Sequence, residues 1–189
     1  MTTTEAENPL WQVDGAGLQQ WDVPINGKVV AAADQLWFYT REALYRLNPS
    51  THTAEWVYTL PRGLFSLSDA LPLPDGGILL AHADSSDRRL LLFAPDGSLR
   101  WERSYAGLVE GTIHLRQVGS AVYLVAQNDS GSVATFQLYA LDLAQATLTY
   151  LFQGGTRSAQ PADTWFLTSA EHLLLNIGGG QMVALALGE

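Results

Sequence analysis

Leu91–Trp101 reads LLFAPDGSLRW: an apolar run, the turn Pro95-Asp96-Gly97, and a second run that ends in tryptophan. Asp-Gly supplies the turn geometry that two short strands need to reverse direction, so the stretch reads as a β-hairpin. The pattern recurs. LWQVDGAGLQQW occupies Leu10–Trp21, LYRLNPSTHTAEW occupies Leu44–Trp56, and LYALDLAQATLTY occupies Leu138–Tyr150. Each copy is an apolar strand, an Asp or Asn, a turn, a second strand and an aromatic. Self-similarity of this kind is the signature of a repeat architecture.

Extended in both directions, the chain divides into units of four short strands, a to d, separated by turn signals. Leu10–Val13 and Leu18–Val23 supply only a c and a d strand, joined at Asp14-Gly15. Three complete units follow. The first is Lys28–Ala32, Gln35–Tyr39, Ala43–Leu47 and Ala54–Leu60. The second is Leu67–Leu73, Gly77–His82, Arg89–Ala94 and Leu99–Tyr105, and the third Thr112–Val118, Ala121–Gln127, Thr135–Leu141 and Thr147–Phe152. A last unit has strands a to c at Thr164–Thr168, Leu173–Ile177 and Gln181–Leu187. Helical periodicity is nowhere sustained over the roughly 11 residues that mark a helix. An orphan d strand near one end and a missing one near the other predict closure. Leu18–Val23 then completes the last sheet and removes two exposed edges. Leu10–Val13 is left over as an extra edge strand or an arm between chains, which keeps both monomer and homodimer open.

Composition agrees with a folded all-β chain. Of 189 residues, 47% are apolar and 15% charged, and 17 glycines with 8 prolines supply many turns. Residues 1–9 read as a polar arm and 10–189 as a single domain. A formal charge of −9 without any Lys/Arg run argues against nucleic acid and anionic membrane as partners. No window approaches the roughly 20 apolar residues of a membrane span. The opening MTTTEAENPLW lacks the basic-then-apolar order of a secretion signal, and there is no cysteine. A cytoplasmic location is the expectation.

The repeats, Gly76–Trp101 above all, resemble those of β-propellers of the quinoprotein-like and WD-like superfamily. No Trp-Asp pair closes a strand c, and Trp21-Asp22 falls in a d strand, so the aromatic in strand d (Trp21, Trp56, Trp101, Tyr150) is closer to the quinoprotein-like type. At about 45 residues per unit the resemblance implies four blades of four antiparallel strands, the ring closed by the N-terminal strand joining the last blade. It also implies that strand a lines a central channel. The d–a and b–c connections then share one face, and the a–b and c–d turns the other.

Sorted on that map, the a–b and c–d turns carry Asp14, Asp34, Asp75, Asp96, Asp142 and Glu171 with no Lys or Arg. Aspartate is a preferred turn former, which accounts for the pattern; an acidic docking face is the alternative. The opposite face mixes charges and has the long connections His82–Arg88, Asn128–Ala134 and Gly154–Asp163. Its binding candidates are Arg62, Arg88 and Arg157, with His82 and with Trp165 beside the longest loop. His114 and Arg116 share one side of a channel strand, as a pair that would meet an anion there. Asp84, Asp87 and Asp129 have the oxygen chemistry calcium takes but no complete calcium-loop pattern, so a solvated loop is the leading reading. Trp21, Trp56 and Trp101 recur at one repeat position, which predicts packing between blades.

No catalytic set emerges. Asn128-Asp129-Ser130-Gly131 lacks the glycine and helix of a nucleophile elbow, and Gly178-Gly179-Gly180 lacks a following Lys-Ser/Thr. No cofactor is expected, the quinone of the namesake enzymes included. The reading is a non-enzymatic protein-interaction scaffold or complex subunit with a protein partner. The alternatives are a small-ligand or glycan-binding propeller around Arg62, Arg88 and Arg157, and a hydrolase or lyase at the channel mouth near His82, His114 and Arg116.

Overall fold

The computed structural model describes residues 11–14, 17–21, 27–40, 42–60, 67–83, 88–108, 111–128, 134–156, 166–168, 172–178 and 181–186. Among these every regular element is a strand. β1 (Trp11–Asp14) and β2 (Gly17–Gln20) form a two-stranded ladder. Three four-stranded antiparallel sheets follow, each with its strands in chain order. The first holds β3 (Lys28–Ala32), β4 (Gln35–Tyr39), β5 (Ala43–Asn48) and β6 (Thr53–Thr59). The second holds β7 (Leu67–Pro72), β8 (Ile78–Ala83), β9 (Arg88–Phe93) and β10 (Leu99–Ser104). In the third are β11 (Thr112–Val118), β12 (Ala121–Asn128), β13 (Ala134–Asp142) and β14 (Thr147–Thr156). β15 (Phe166–Thr168), β16 (His172–Gly178) and β17 (Gln181–Ala186) make a three-stranded sheet.

The second sheet explains its own sequence. β8 and β9 are apolar at consecutive positions, the pattern of strands covered on both faces. Ile78, Leu80, Leu91 and Phe93 pack with Trp37, Tyr39 and Leu44 of the first sheet. Leu79, Ala81, Leu90 and Leu92 turn the other way, onto Ile113, Leu115 and Leu124 of the third. The outer strands β6 and β10 have only half-buried and exposed positions instead. Sheets touch along their inner strands, β3 on β7 and β7 and β8 on β11, and β14 meets β16.

Polar atoms of aromatic side chains lock the two junctions among the three four-stranded sheets. Trp37 is fully buried, and its Nε1–H donates to the Gly76 carbonyl at 3.0 Å. Trp101 Nε1–H donates to the Leu143 carbonyl at 2.8 Å, and the Tyr105 hydroxyl to the Ala146 carbonyl at 2.8 Å. All three acceptors lie in turns of the next sheet. Burial holds the Tyr105 phenol above its ordinary pKa despite the opposing charge of Arg103, so it remains a donor. Tyr58 reaches from the first sheet to Glu102 of the second, at 3.1 Å, and Arg89 holds the other Glu102 oxygen at 2.9 Å.

Strand boundaries follow the repeat reading within a few residues, with informative exceptions. β14 runs on through Gly154 and Gly155, where a loop was expected. A Cβ at Gly154 would lie 2.5 Å from the Phe136 ring, so the glycine admits a close aromatic rather than a turn. The recurrence of Trp56 and Trp101 does not carry into packing. In the first sheet the bulge residue follows the tryptophan, so Trp56 pairs with Tyr45; in the second it precedes it, so Trp101 pairs with Leu92. A one-residue slip moves a side chain to the opposite face. Trp101 therefore enters the next junction, while Trp56 is 59% exposed. Trp21 does pack as expected, on Phe38 and Leu47. The expected pairing of the N-terminal strand with the last sheet is not among the described ladders: β2 pairs with β1, and β17 with β16.

Trp37→Phe keeps an aromatic ring but not the indole, so it leaves the Gly76 carbonyl without its donor and opens a small cavity. Urea denaturation is expected to show a loss of about 1–3 kcal/mol. Gly97 closes the β9–β10 turn at φ +88, and Gly97→Ala is expected to cost about 1 kcal/mol in the same measurement.

Candidate functional site

The junction between the second and third sheets does not close at the end formed by the a–b and c–d turns. A cleft of about 870 Å³ remains. That volume falls in the range of ligand-binding pockets, roughly 300–1,000 Å³. Leu73, Leu92, Trp101 and Leu143 give it an apolar floor. Asp75, Arg100, Gln117 and Ser120 give it a polar rim. Each comes from a strand end or a turn. Asp75 sits in the β7–β8 turn, where Leu73 N–H bonds the Gly77 carbonyl at 2.9 Å, and Ser120 sits in the β11–β12 turn.

Arg100 Nη1 meets Asp75 Oδ2 at 2.8 Å across the rim, with both side chains nearly half exposed. Asp75 Oδ1 also accepts the Gly77 N–H at 2.9 Å. Burial pushes the Asp75 carboxyl up, but the Gly77 N–H and the Arg100 guanidinium together outweigh it, so its pKa lies below the ordinary 3.8. Asp96 and Asp142 have the same local job. Asp96 accepts from the Ser98 N–H and hydroxyl, and Asp142 from the N–H groups of Ala144 and Gln145. Turn formation therefore accounts for these aspartates, and their charge still faces the same end of the sheets.

Several residues singled out in the sequence lie elsewhere. His82 is in β8 and only 1% exposed, and Arg88 is in β9 and 8% exposed, so neither stands on a surface loop. The reason is strand length: both continue the apolar runs of the double-sided second sheet. His114 and Arg116 lie on the inner strand β11. Arg116 Nη1 pairs with Asp69 Oδ2 at 3.2 Å, and that oxygen also accepts the Leu115 N–H at 2.8 Å. Arg116 thus ties β11 to β7, and a carboxylate stands where an anion was expected. Arg62, Arg157, Trp165, Asp84, Asp87 and Asp129 lie outside the described residues. Among the described residues no three His, Asp or Glu side chains gather as a metal would require.

No family model matches this chain, and no curated protein matches it. Its architecture does have a counterpart among solved structures. The N-terminal domain of Nup159 superposes with a TM-score of 0.51 at 14% identity, covering 83% of this chain and 40% of that one. The fold is a β-propeller. TolB from Acinetobacter baumannii is also similar, with a TM-score of 0.49, 16% identity, and coverage of 90% of this chain and 43% of that one. This chain therefore spans about two fifths of the length of the propellers it matches. In these terms the three four-stranded sheets are complete blades, and the cleft lies between the second and third.

Sequence reasoning did not assemble the cleft. Trp101 reads as packing and Asp75 as a turn former, and both readings hold. Their joint product, a gap beside a bonded indole, depends on which face the bulge gives Trp101.

Because the folded-state pKa of Asp75 is depressed, its stabilising contribution is present above the ordinary 3.8 and is lost as pH falls through the folded value. Asp75→Asn is expected to lower the melting temperature at neutral pH and to match the unaltered chain in acid below that window. A constant difference across the pH range would contradict this account.

Proposed function

We propose that the chain is a non-enzymatic interaction propeller whose cleft between the second and third blades takes a segment of a protein partner. The cleft itself carries the reading: an apolar lining that includes the Trp101 indole, open at the surface, with a rim that can hydrogen-bond a backbone. Apolar pockets with a few convergent polar groups are the usual form of a binding site. The charge around it favours one kind of segment. Asp34, Asp96 and Asp142 are exposed in turns of the same end, and the chain carries −9 overall. Opposite charge speeds encounter and fixes orientation. The partner segment accordingly presents an aliphatic or aromatic anchor beside Lys or Arg.

The ligand-binding alternative is weakened because Arg88 is buried in β9 and leaves only Arg62 and Arg157 of its three cations. The hydrolase or lyase alternative has His82 inside β8 and Arg116 engaged by Asp69.

Selection of a phage-displayed random peptide library tests the reading. The immobilised chain is the target, and a Ser120→Trp variant, which fills the cleft mouth from an exposed turn, is the counter-target. Equal melting temperatures establish that the variant folds. The expected result is a motif with a basic residue next to an apolar anchor, bound at least tenfold more weakly by the variant. Peptides that bind both proteins equally, or no enriched motif, would sink the proposal.

A further inference from the structure

Among the described residues, no four-stranded sheet packs on one face of the first complete blade. Cross-strand register lines up Val29, Phe38, Tyr45 and Trp56 across its four strands. The same row in the second blade is Ala70, Leu80, Leu91 and Glu102. In the third it is Leu115, Leu124, Tyr139 and Tyr150. In those two blades the central members are packed under the blade before, and Leu80, Leu91 and Leu124 have no exposure. In the first blade Trp21 covers Phe38 at the middle of the row. The inner end stays open, with Val29 42% exposed where Leu115 of the third blade is fully buried; the outer Trp56 is 59% exposed, as Tyr150 of the third blade is at 54%. At the far end of the stack, β17 leaves Ala184 and Ala186 exposed on one face.

We propose that a second copy of this chain covers both ends, so that two copies close one ring. Curvature favours a second copy over closure by the chain's own strand. A propeller domain of which this chain spans 40% superposes on 83% of it. Blades stacked at the inclination of a ring about twice as long turn through about half a circle. The two open faces of one copy then lie side by side and point the same way, toward those of a copy related by a two-fold axis. Head-to-tail contacts close into a ring when the rotation returns to its start, as a half-turn does after two copies.

Strand edges complete the arrangement. Among the described ladders β2 is paired only on the β1 side and β17 only on the β16 side. The sheet β15–β17 supplies strands a to c, and β2, whose next residue Trp21 already rests on the first blade, supplies a d strand. Joining β17 of one copy to β2 of the other makes a blade of strands β15, β16, β17 and β2 over Val29 and Trp56, with β1 as an extra outer strand, and removes two open edges. Burying an exposed aromatic and a valine at each junction adds apolar contact that compensates like-charge repulsion between the copies. This inference is independent of the peptide cleft, which lies between two blades of a single copy.

The chain has no cysteine, so introduced thiols are unique. Gln19→Cys in β2 and Ala184→Cys in β17 are made on separate copies, mixed, and treated with a short bismaleimide. The expected product is a cross-linked species of twice the chain mass of 20.6 kDa, and light scattering gives that mass for the unaltered chain. A Val29→Asp, Trp56→Asp double variant alters exposed positions only; it is expected to keep its β-sheet circular dichroism and to fall to the single-chain mass. Cross-linking only when both cysteines lie in one chain would show closure by its own strand and overturn the proposal. A single-chain mass across a wide dilution series, an assembly larger than two copies, or a dimer without the β2–β17 cross-link would overturn it as well.

Discussion

The two junctions among the three complete blades turn on aromatic side chains that are nearly all apolar and have one polar atom to satisfy. Trp37 gives its N–H to the Gly76 carbonyl, Trp101 to Leu143, and Tyr105 its hydroxyl to Ala146. A buried donor without a partner is costly, so the ring can lie between two sheets only where the next sheet presents a turn carbonyl. Apolar burial alone would let the sheets slide over one another. These bonds fix their offset, and with it the position of every turn at one end of the stack.

The cleft follows from that constraint. Trp101 is held at its edge by the Leu143 carbonyl, so its ring forms the floor of the cleft rather than collapsing into it. Arg100, one residue earlier, is the bulge residue, paired to Asp75 at the rim. Register, aromatic anchor and rim ion pair therefore share one short stretch, the start of β10. The inner strands are tied differently. Asp69 bridges β7 to the Leu115 N–H and Arg116 on β11, which fills with structural bonds a place where a ligand-binding pair was expected.

Much of the fold is legible in the sequence because its signals are local. Pro95-Asp96-Gly97 marks a turn whatever surrounds it, and the consecutive leucines of β8 and β9 declare a sheet covered on both faces. What escapes is whatever depends on a single-residue slip. Trp56 and Trp101 occupy like positions in the repeat, yet a bulge after one and before the other turns them to opposite faces. Gly154 and Gly155 look like a loop, but the strand continues through both, and the space Gly154 saves is taken by the Phe136 ring. Arg88 looks like a loop residue because it is polar, and His82 like the strand end beside that loop, although both are buried within strands. The candidate cleft was the least legible feature, since its walls come from two blades and its floor from a side chain whose direction the bulge decides.

The central claim is that two particular indole N–H groups are locked into the turns of the next blade. Exchange of the tryptophan indole protons with deuterated water, followed by nitrogen–proton correlation NMR with each signal assigned by a Trp→Phe variant, tests it most directly. The account predicts slow exchange at Trp37 and Trp101 and fast exchange at Trp56. Exchange at Trp37 and Trp101 as rapid as at Trp56 would contradict it.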